Sequence, residues 1–399
     1  MRQLWAGIDA GKTHHHCVVI DSDGTRLLSR RVANDEIELS ELIDDAVSLS
    51  EGGVVTWAVD LNSGGAALLI ALMAEREQRL LYIPGRVVHH AAGGYRGDSK
   101  TDAKDAAVIA DQARMRRDLN PVRAGDEISI ELAILTSRRT DLMRDRTRTV
   151  NRLRALLSTY FPALERSLDI SNVKATLILL SGYQTPDGIR RIGQARLETW
   201  LRKRKAYNAT QIAAKAINAA QAQYVRVAGQ DVAASTVAKF AVQVMNIEAE
   251  MAHLDRDIEE RFRRHRLAEV IESMPGFGPG LRAEVLAVTG GDFTAFETAD
   301  RLAGIAGLAP VPRDSGRVSG NLRRPRRYDR RLLRAFYLAA QLSLRSCVAS
   351  QTYYARKRSE GKRHTQAVLA LARRRLNVLW AMVRDNAVYL AEPSAALVA

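Results

Sequence analysis

Apolar and polar positions repeat with a short period in the first part of the chain and with a helical period after it. Gln3 to Asp9 is an apolar run ending in an acid. Residues 14–20 resume as a second strand, and Asp21-Ser22-Asp23-Gly24 is a hairpin turn into a third, Thr25 to Val32. Glu36 to Leu49 carries helical spacing, and Val54 to Asp60 (VVTWAVD) is a buried-type strand that again ends in an acid. Gly64-Gly65 opens a helix through Met73, and Leu80 to Ile83 is a fifth strand stopped at Pro84. Three hairpin-linked strands followed by alternating helix and strand predict an α/β domain of the ribonuclease-H type. In that topology the first strand lies beside the fourth, which makes Asp9 and Asp60 neighbours.

From about Asp126 the pattern becomes all-α. Ile128, Leu132, Leu135, Leu142, Leu153 and Leu156 follow heptad-like spacing, interrupted by Arg139 and Arg146. Val237, Phe240, Val244, Ile247, Met251, Leu254 and Ile258 alternate steps of three and four, the signature of a coiled-coil seam. Periodicity leaves open whether the two long helices pair within the chain or across subunits. Residues 162–230 between them read as shorter helices with Gly182, Pro186 and Gly188 as breakers, serving packing and oligomerisation. A third region starts near Met274, and its last helices run over roughly 332–348 and 364–391. The expected division is 1–120, 121–266 and 267–391, with 392–399 as a tail.

Charge separates these parts. The chain has 399 residues and a net charge of +15. Residues 1–110 hold 11 Lys and Arg against 16 Asp and Glu, and the remainder holds 49 against 29. A basic body joined to an acidic front suits a protein that grips a polyanion with one part and presents carboxylates with the other. No apolar run is long enough to span a bilayer. Cys17 and Cys347 are too few and too far apart for a disulfide framework or a cysteine zinc site. These features predict an intracellular protein with no membrane partner.

The stretch GDSKTDAKDA, Gly97 to Ala106, places Asp102 and Asp105 three residues apart at a helix start capped by Thr101. Two carboxylates on one face repel each other unless a cation sits between them, and a divalent metal serves. With Asp9 and Asp60 they make four acids able to converge from two strand ends and one helix. Paired divalent ions so held activate an attacking oxygen and stabilise the leaving oxygen of a phosphodiester. Lys100 is a candidate phosphate contact.

Two later motifs also fit nucleic acid. Pro275-Gly276-Phe277-Gly278-Pro279-Gly280-Leu281 fits the turn of a helix-hairpin-helix unit, where Gly276 and Gly278 let backbone amides approach a phosphate. The loop APVPRDSGRVSGNLRRPRRYDRR carries Arg313, Arg317, Arg323 and Arg324 around Ser315 and Ser319, each serine followed by a glycine. No His/Asp partner for Ser315 is evident locally, so on residue chemistry alone it reads as a turn residue.

GIDAGKTHHHCVVID, VDLNSGG, KTDAKDA and MPGFGPG…FTAFETADRLAGIAGLAPVPRDSG together resemble the insertion-sequence-110 family of DEDD transposases, which includes the pilin-gene invertase. The match covers residues 1–115 and 270–345; the helical middle matches only in character. The resemblance implies a RuvC-like, Mg²⁺-dependent carboxylate site, with two ions, together with a separate serine that becomes covalently joined to DNA. By position, Asp9, Asp102 and Asp105 match three of the four acids and Ser315 matches the serine. The second acid of the family is usually Glu, and here it is Asp60. The resemblance further implies donor and target DNA as substrates, a structured non-coding guide RNA, a homodimer or homotetramer completed between subunits, and a place in the bacterial cytoplasm at the nucleoid.

Two rivals differ in their chemistry. A RuvC-like nuclease or junction resolvase would use the acids alone, with no serine step. A sugar or acetate kinase would use Asp9-Ala10-Gly11-Lys12-Thr13 as a phosphate loop, but no second loop or adenosine motif follows. Three minor candidates complete the set. His14, His15 and His16 lie consecutively on a strand and so point to alternate faces, Tyr328 is a possible attacking hydroxyl, and Ser319 is the fallback for Ser315.

Overall fold

The computed structural model describes residues 2–61, 64–95, 101–122, 126–312, 314–317, 319–320, 322–323 and 325–390. The chain divides into two compact units, Met1–Gly125 and Asp126–Ala399.

The first unit holds strands β1 (Leu4–Ala10), β2 (His14–Ile20) and β3 (Arg26–Ala33), then α1 (Glu36–Leu49), β4 (Val55–Val59), α2 (Ala67–Glu75), β5 (Arg79–Tyr82), α3 (Gly85–Ala92), α4 (Asp102–Met115) and β6 (Asn120–Pro121). They form one sheet in the order β3-β2-β1-β4-β5-β6. β1 runs parallel to β4, and β4 parallel to β5, while β2 is antiparallel to both of its neighbours. The first strand therefore lies beside the fourth, as the strand pattern predicts. Helix α3 and strand β6 are additions that the sequence pattern did not reveal, α3 spanning eight residues and β6 two.

Alternation along each strand decides what lies on each face of the sheet. Leu4, Ala6 and Ile8 of β1 and Trp57 of β4 pack with Leu39 and Leu42 of α1 and Leu69 of α2. The opposite face receives α4, whose Ala106 and Ala110 meet Val18 and Ile20, and whose Val108 and Ile109 meet Ala58. Gly7 is where this packing is tightest. A Cβ there would come within 2.2 Å of both Ala106 O and Ala110 N, so only a glycine lets the α4 backbone rest on β1. We expect Gly7→Ala to lose about 3 kcal/mol of stability, the upper range for overpacking, because backbone rather than a side chain must yield. A thermal or denaturant melt reads this directly.

The second unit is helical. It comprises α5 (Glu127–Tyr160), the short helices α6 (Pro162–Ser167), α7 (Lys174–Gly182), α8 (Pro186–Ile192), α9 (Gln194–Lys203) and α10 (Ala209–Gln221), then α11 (Gln230–Arg264), α12 (Ala268–Ser273), α13 (Pro279–Thr289) and α14 (Ala299–Ile305). A two-residue ladder of β7 (Val311–Pro312) and β8 (Leu322–Arg323) follows, then α15 (Arg330–Ser343), α16 (Val348–Ser359) and α17 (His364–Arg384). The long helices α5 and α11 pair within the chain. Arg138–Glu250, Arg139–Asp255, Arg146–Glu248 and Arg261–Glu131 join them in antiparallel order. The arginines that interrupt the α5 heptads thus find their carboxylates on α11.

This pairing buries part of the apolar seam within the chain, while Phe240, Met251 and Leu254 stay half-buried. Val237 and Val244 are buried with Val150, Leu153 and Leu157 of α5 in a core built with α6–α10. Ile258 and Phe262 are buried with Leu132 in a second core built with α12–α17. Seven-residue spacing looks the same whether its partner lies in one chain or another, which is why the sequence alone left the choice open.

Candidate active site

Asp9 and Asp60 reach the same face of the sheet by the same rule. Ile8 pairs with Val59 in the parallel β1–β4 ladder, so the acids are the next residues on adjacent strands. Asp9 shares the parity of Gly7, and Asp60 that of Ala58, and both of those residues face α4. The Ala10 amide donates to Asp60 Oδ1 at 3.1 Å, which fixes the Asp60 carboxylate against β1. Helix α4 begins where Thr101 Oγ1 accepts from the Lys104 amide at 3.2 Å, as expected of a cap. Asp102 and Asp105 occupy its first turn, in line with the buried Ala106 and Ile109 that meet the sheet.

The charges of these groups are coupled. Burial, reinforced by the nearby charge of Asp105, pushes the Asp60 carboxyl above the usual carboxylate range, against the pull of the Ala10 amide. Burial holds His16 below its ordinary value, although the charge of Asp102 opposes this. The four acids thus share one sheet face. Their side chains are not drawn tightly together, for among the described residues no three His, Cys, Asp or Glu stand close enough to hold a metal ion. Hard carboxylate oxygens are the donors that Mg²⁺-like ions take, so the donor set fits a divalent cation in its chemistry.

One positioning residue escaped sequence reasoning. Asn34 Nδ2 donates to Gly65 O at 2.9 Å and to Lys12 O at 3.3 Å, tying the β1–β2 turn to the segment after Asp60. An asparagine just past a strand gives no signal of this in sequence. The histidines alternate as predicted: His15 is buried, His14 is exposed and His16 is half-buried.

The second unit carries the remaining candidates. Ser315 is exposed in the excursion between β7 and β8, together with the exposed Arg317; Arg323 lies on β8. Gly320, after Ser319, takes φ +77°, whereas Gly316, after Ser315, does not adopt a left-handed backbone. The two Ser-Gly steps of this loop therefore differ in backbone conformation. Lys100, Arg313 and Arg324 lie outside the described residues. The Tyr328 ring packs against Gly307, where a Cβ would come within 2.6 Å of it. Arg331 bonds Thr136 Oγ1 at 2.6 Å and pairs with the buried Glu284, so its charge is engaged inside the unit.

In the Pro275–Gly280 turn the glycines divide by role. Gly276 has φ +84°, and a Cβ there would meet Ala339 O of α15 at 2.2 Å; packing and backbone conformation together demand a glycine. The Pro275 carbonyl accepts from the buried Arg375. Gly278 is the residue before α13, and a Cβ at Gly278 or Gly280 meets nothing within 4 Å. Close backbone access is therefore a property of Gly278 and not of Gly276.

Residues 6–162 match the IS110-type DEDD family described as "Transposase", and residues 268–355 match the family described as "Transposase IS116/IS110/IS902 family". The chain is 65% identical, over 97% of each sequence, to an uncharacterized 42 kDa protein of insertion element IS900 from Mycobacterium paratuberculosis. The chain belongs to the IS110 transposase family. This transposase is also 49% identical to an uncharacterized 44.8 kDa protein of insertion element IS116 from Streptomyces clavuligerus, over 98% of this chain and 97% of that one. To the mini-circle putative transposase for IS117 of Streptomyces coelicolor it is 26% identical, over 94% and 92%. Transposases act on DNA, and the DEDD family suggests dependence on a divalent metal. Among the described residues no helix is long and apolar enough to cross a membrane.

Proposed function

We propose that this transposase cleaves and rejoins DNA through a RuvC-like site made by Asp9, Asp60, Asp102 and Asp105 and a phosphoserine formed on Ser315. The observation that carries the reading is the shared sheet face: adjacent parallel strand ends present Asp9 and Asp60 toward the helix whose first turn holds Asp102 and Asp105. Mg²⁺, as two ions, supplies charge neutralisation at the phosphate when bound. Asp9, Asp60, Asp102 and Asp105 would hold it, and Asp60, anchored by the Ala10 amide, stands where the family usually has the longer glutamate.

The chain's own hydroxyl does the covalent work. Ser315 Oγ attacks the scissile phosphorus, forming an Oγ–P bond as the bond from phosphorus to the deoxyribose oxygen breaks. The serine proton passes to a carboxylate or to water, and the leaving oxygen takes up a proton. Rejoining reverses these changes with a new DNA hydroxyl, so no external energy source is consumed. Arg317 and Arg323 neutralise the phosphate during both steps, with Gly278 contributing backbone access nearer α13. The same DNA phosphate must meet Ser315 and the acids, from one subunit or from two in a homodimer or homotetramer. A structured guide RNA selects donor and target by pairing, which leaves mainly backbone contacts to the protein.

Metal removal tests the first half of this reading. With EDTA present, cutting of element-end DNA is expected to stop and to return when Mg²⁺ is restored. Cutting that persists in chelator would remove the carboxylate mechanism. A metal-dependent nuclease without serine chemistry is the alternative, and the covalent adduct distinguishes it.

A further inference from the structure

Residues 163–267 lie between the two family matches, and their charge is lopsided. From Pro186 to Gly229 there are nine Lys and Arg against two acids, Asp187 and Glu198. Arg202 pairs with Glu198 and Arg190 with Asp187. Among the described residues no carboxylate pairs with Lys203, Arg204, Lys205 or Lys215. The contrast with α5 is plain, since Arg138, Arg139 and Arg146 there are laced to carboxylates of α11. The two acids of this segment are taken up by Arg190 and Arg202, which leaves the Lys203–Lys205 run and Lys215 unmatched.

The corner between α9 and α10 is also stiff. The Ala206 amide donates to Leu201 O and the Lys205 amide to Arg202 O, closing the end of α9. Lys205 stands at φ +56° and Asn208 at φ +54°, flanking Tyr207 with left-handed backbone on both sides. A lysine in that conformation costs roughly 1–2 kcal/mol, which the fold spends to hold the corner in one shape. Tyr207 is 81% exposed there, so no core explains its ring. At the end of α9 the Arg204 guanidinium sits over the Trp200 ring, 3.8 Å from its centroid.

Helix α10 continues the surface. Its exposed residues are Thr210, Gln211, Lys215, Asn218 and Gln221; none is a carboxylate, and Thr210 Oγ1 donates to Glu198 of α9 at 2.8 Å. The helix spans about 20 Å, and just past its far end Tyr224 is 76% exposed, with the Arg190 guanidinium over its ring at 4.7 Å.

We infer that the α9–α10 corner and the outer face of α10 form a docking surface for unpaired RNA, with a base stacked on Tyr207 and the backbone held by Lys203, Arg204, Lys205 and Lys215. An exposed aromatic beside cations that have no carboxylate partner is the arrangement that receives unpaired bases and their phosphates. The amides of Gln211 and Asn218 both donate and accept, which matches the 2′-hydroxyl that distinguishes RNA from DNA. The inference rests on the reading above only in taking the ligand to be nucleic acid.

Fluorescence anisotropy on the full chain tests it, using an RNA hairpin with an unpaired loop, a DNA hairpin of the same sequence and a blunt RNA duplex. Tyr207→Ala should weaken the RNA hairpin about tenfold and leave the blunt duplex unchanged, while Tyr207→Phe keeps the wild-type affinity. The combined K203Q/R204Q/K205Q variant should weaken the hairpin and reduce the slope of log affinity against log salt by about two. All of these side chains are exposed, so the thermal melt should not move. The inference is overturned if Tyr207→Ala leaves hairpin binding intact, if it weakens the blunt duplex equally, or if the DNA hairpin binds as tightly as the RNA. DNA cutting is not read in this assay, so such a failure leaves the proposed catalytic site standing.

Discussion

Asp105→Asn is expected to abolish DNA cutting while leaving the protein folded. The substitution keeps the shape of the side chain and removes one negative charge from the first turn of α4, where the N-terminal dipole favours acids only modestly. If Asp105 holds a divalent ion, the loss is several kcal/mol of charge stabilisation at the phosphate. At about 1.4 kcal/mol per factor of ten, that is on the order of a thousandfold in rate. Asp102→Asn should behave alike. Both variants should melt close to the wild type, because Asp102 is exposed and Asp105 half-buried. Gel-resolved cutting of element-end DNA in Mg²⁺ gives the number; near-wild-type cutting by both variants would leave the acids as a helix-capping feature only.

The second large effect is qualitative. Ser315→Ala should eliminate the covalent protein–DNA adduct that denaturing electrophoresis of end-labelled DNA would otherwise display, and with it all strand rejoining. Ser319→Ala should retain the adduct, which separates the two serines of the loop. Ser315 is exposed, so its loss should leave folding untouched. A Ser315→Ala protein that still cuts, with no adduct in the wild type either, identifies a hydrolytic nuclease instead. An adduct that moves to Ser319 reassigns the nucleophile.

Most of the strand and helix pattern of the first unit was legible because its apolar runs are short and bounded by turn residues, and because two of them end in an acid. The succession of three hairpin strands and then alternating helix and strand pointed to the topology, and the topology to the neighbouring positions of Asp9 and Asp60. The separation of the carboxylate side chains was not legible, since it depends on rotamers and on how far the first turn of α4 leans from the sheet. Gly7 looked like any strand glycine, and only the helix lying on it gives it a reason. The glycines of the Pro275–Gly280 turn looked equivalent in sequence. Gly276 is pressed against α15 while Gly278 is open, a distinction that arises from residues some sixty positions downstream.

The antiparallel α5–α11 pair sets a limit on how this polypeptide can be dissected. The core that surrounds α12–α17 takes Leu132 from α5 and Ile258 and Phe262 from α11, all of which precede the boundary at 267 suggested by the sequence. An excised C-terminal fragment starting there would expose the surface those three side chains cover. The two helices act as a shared spine, and a stable sub-fragment of this unit must carry both of them.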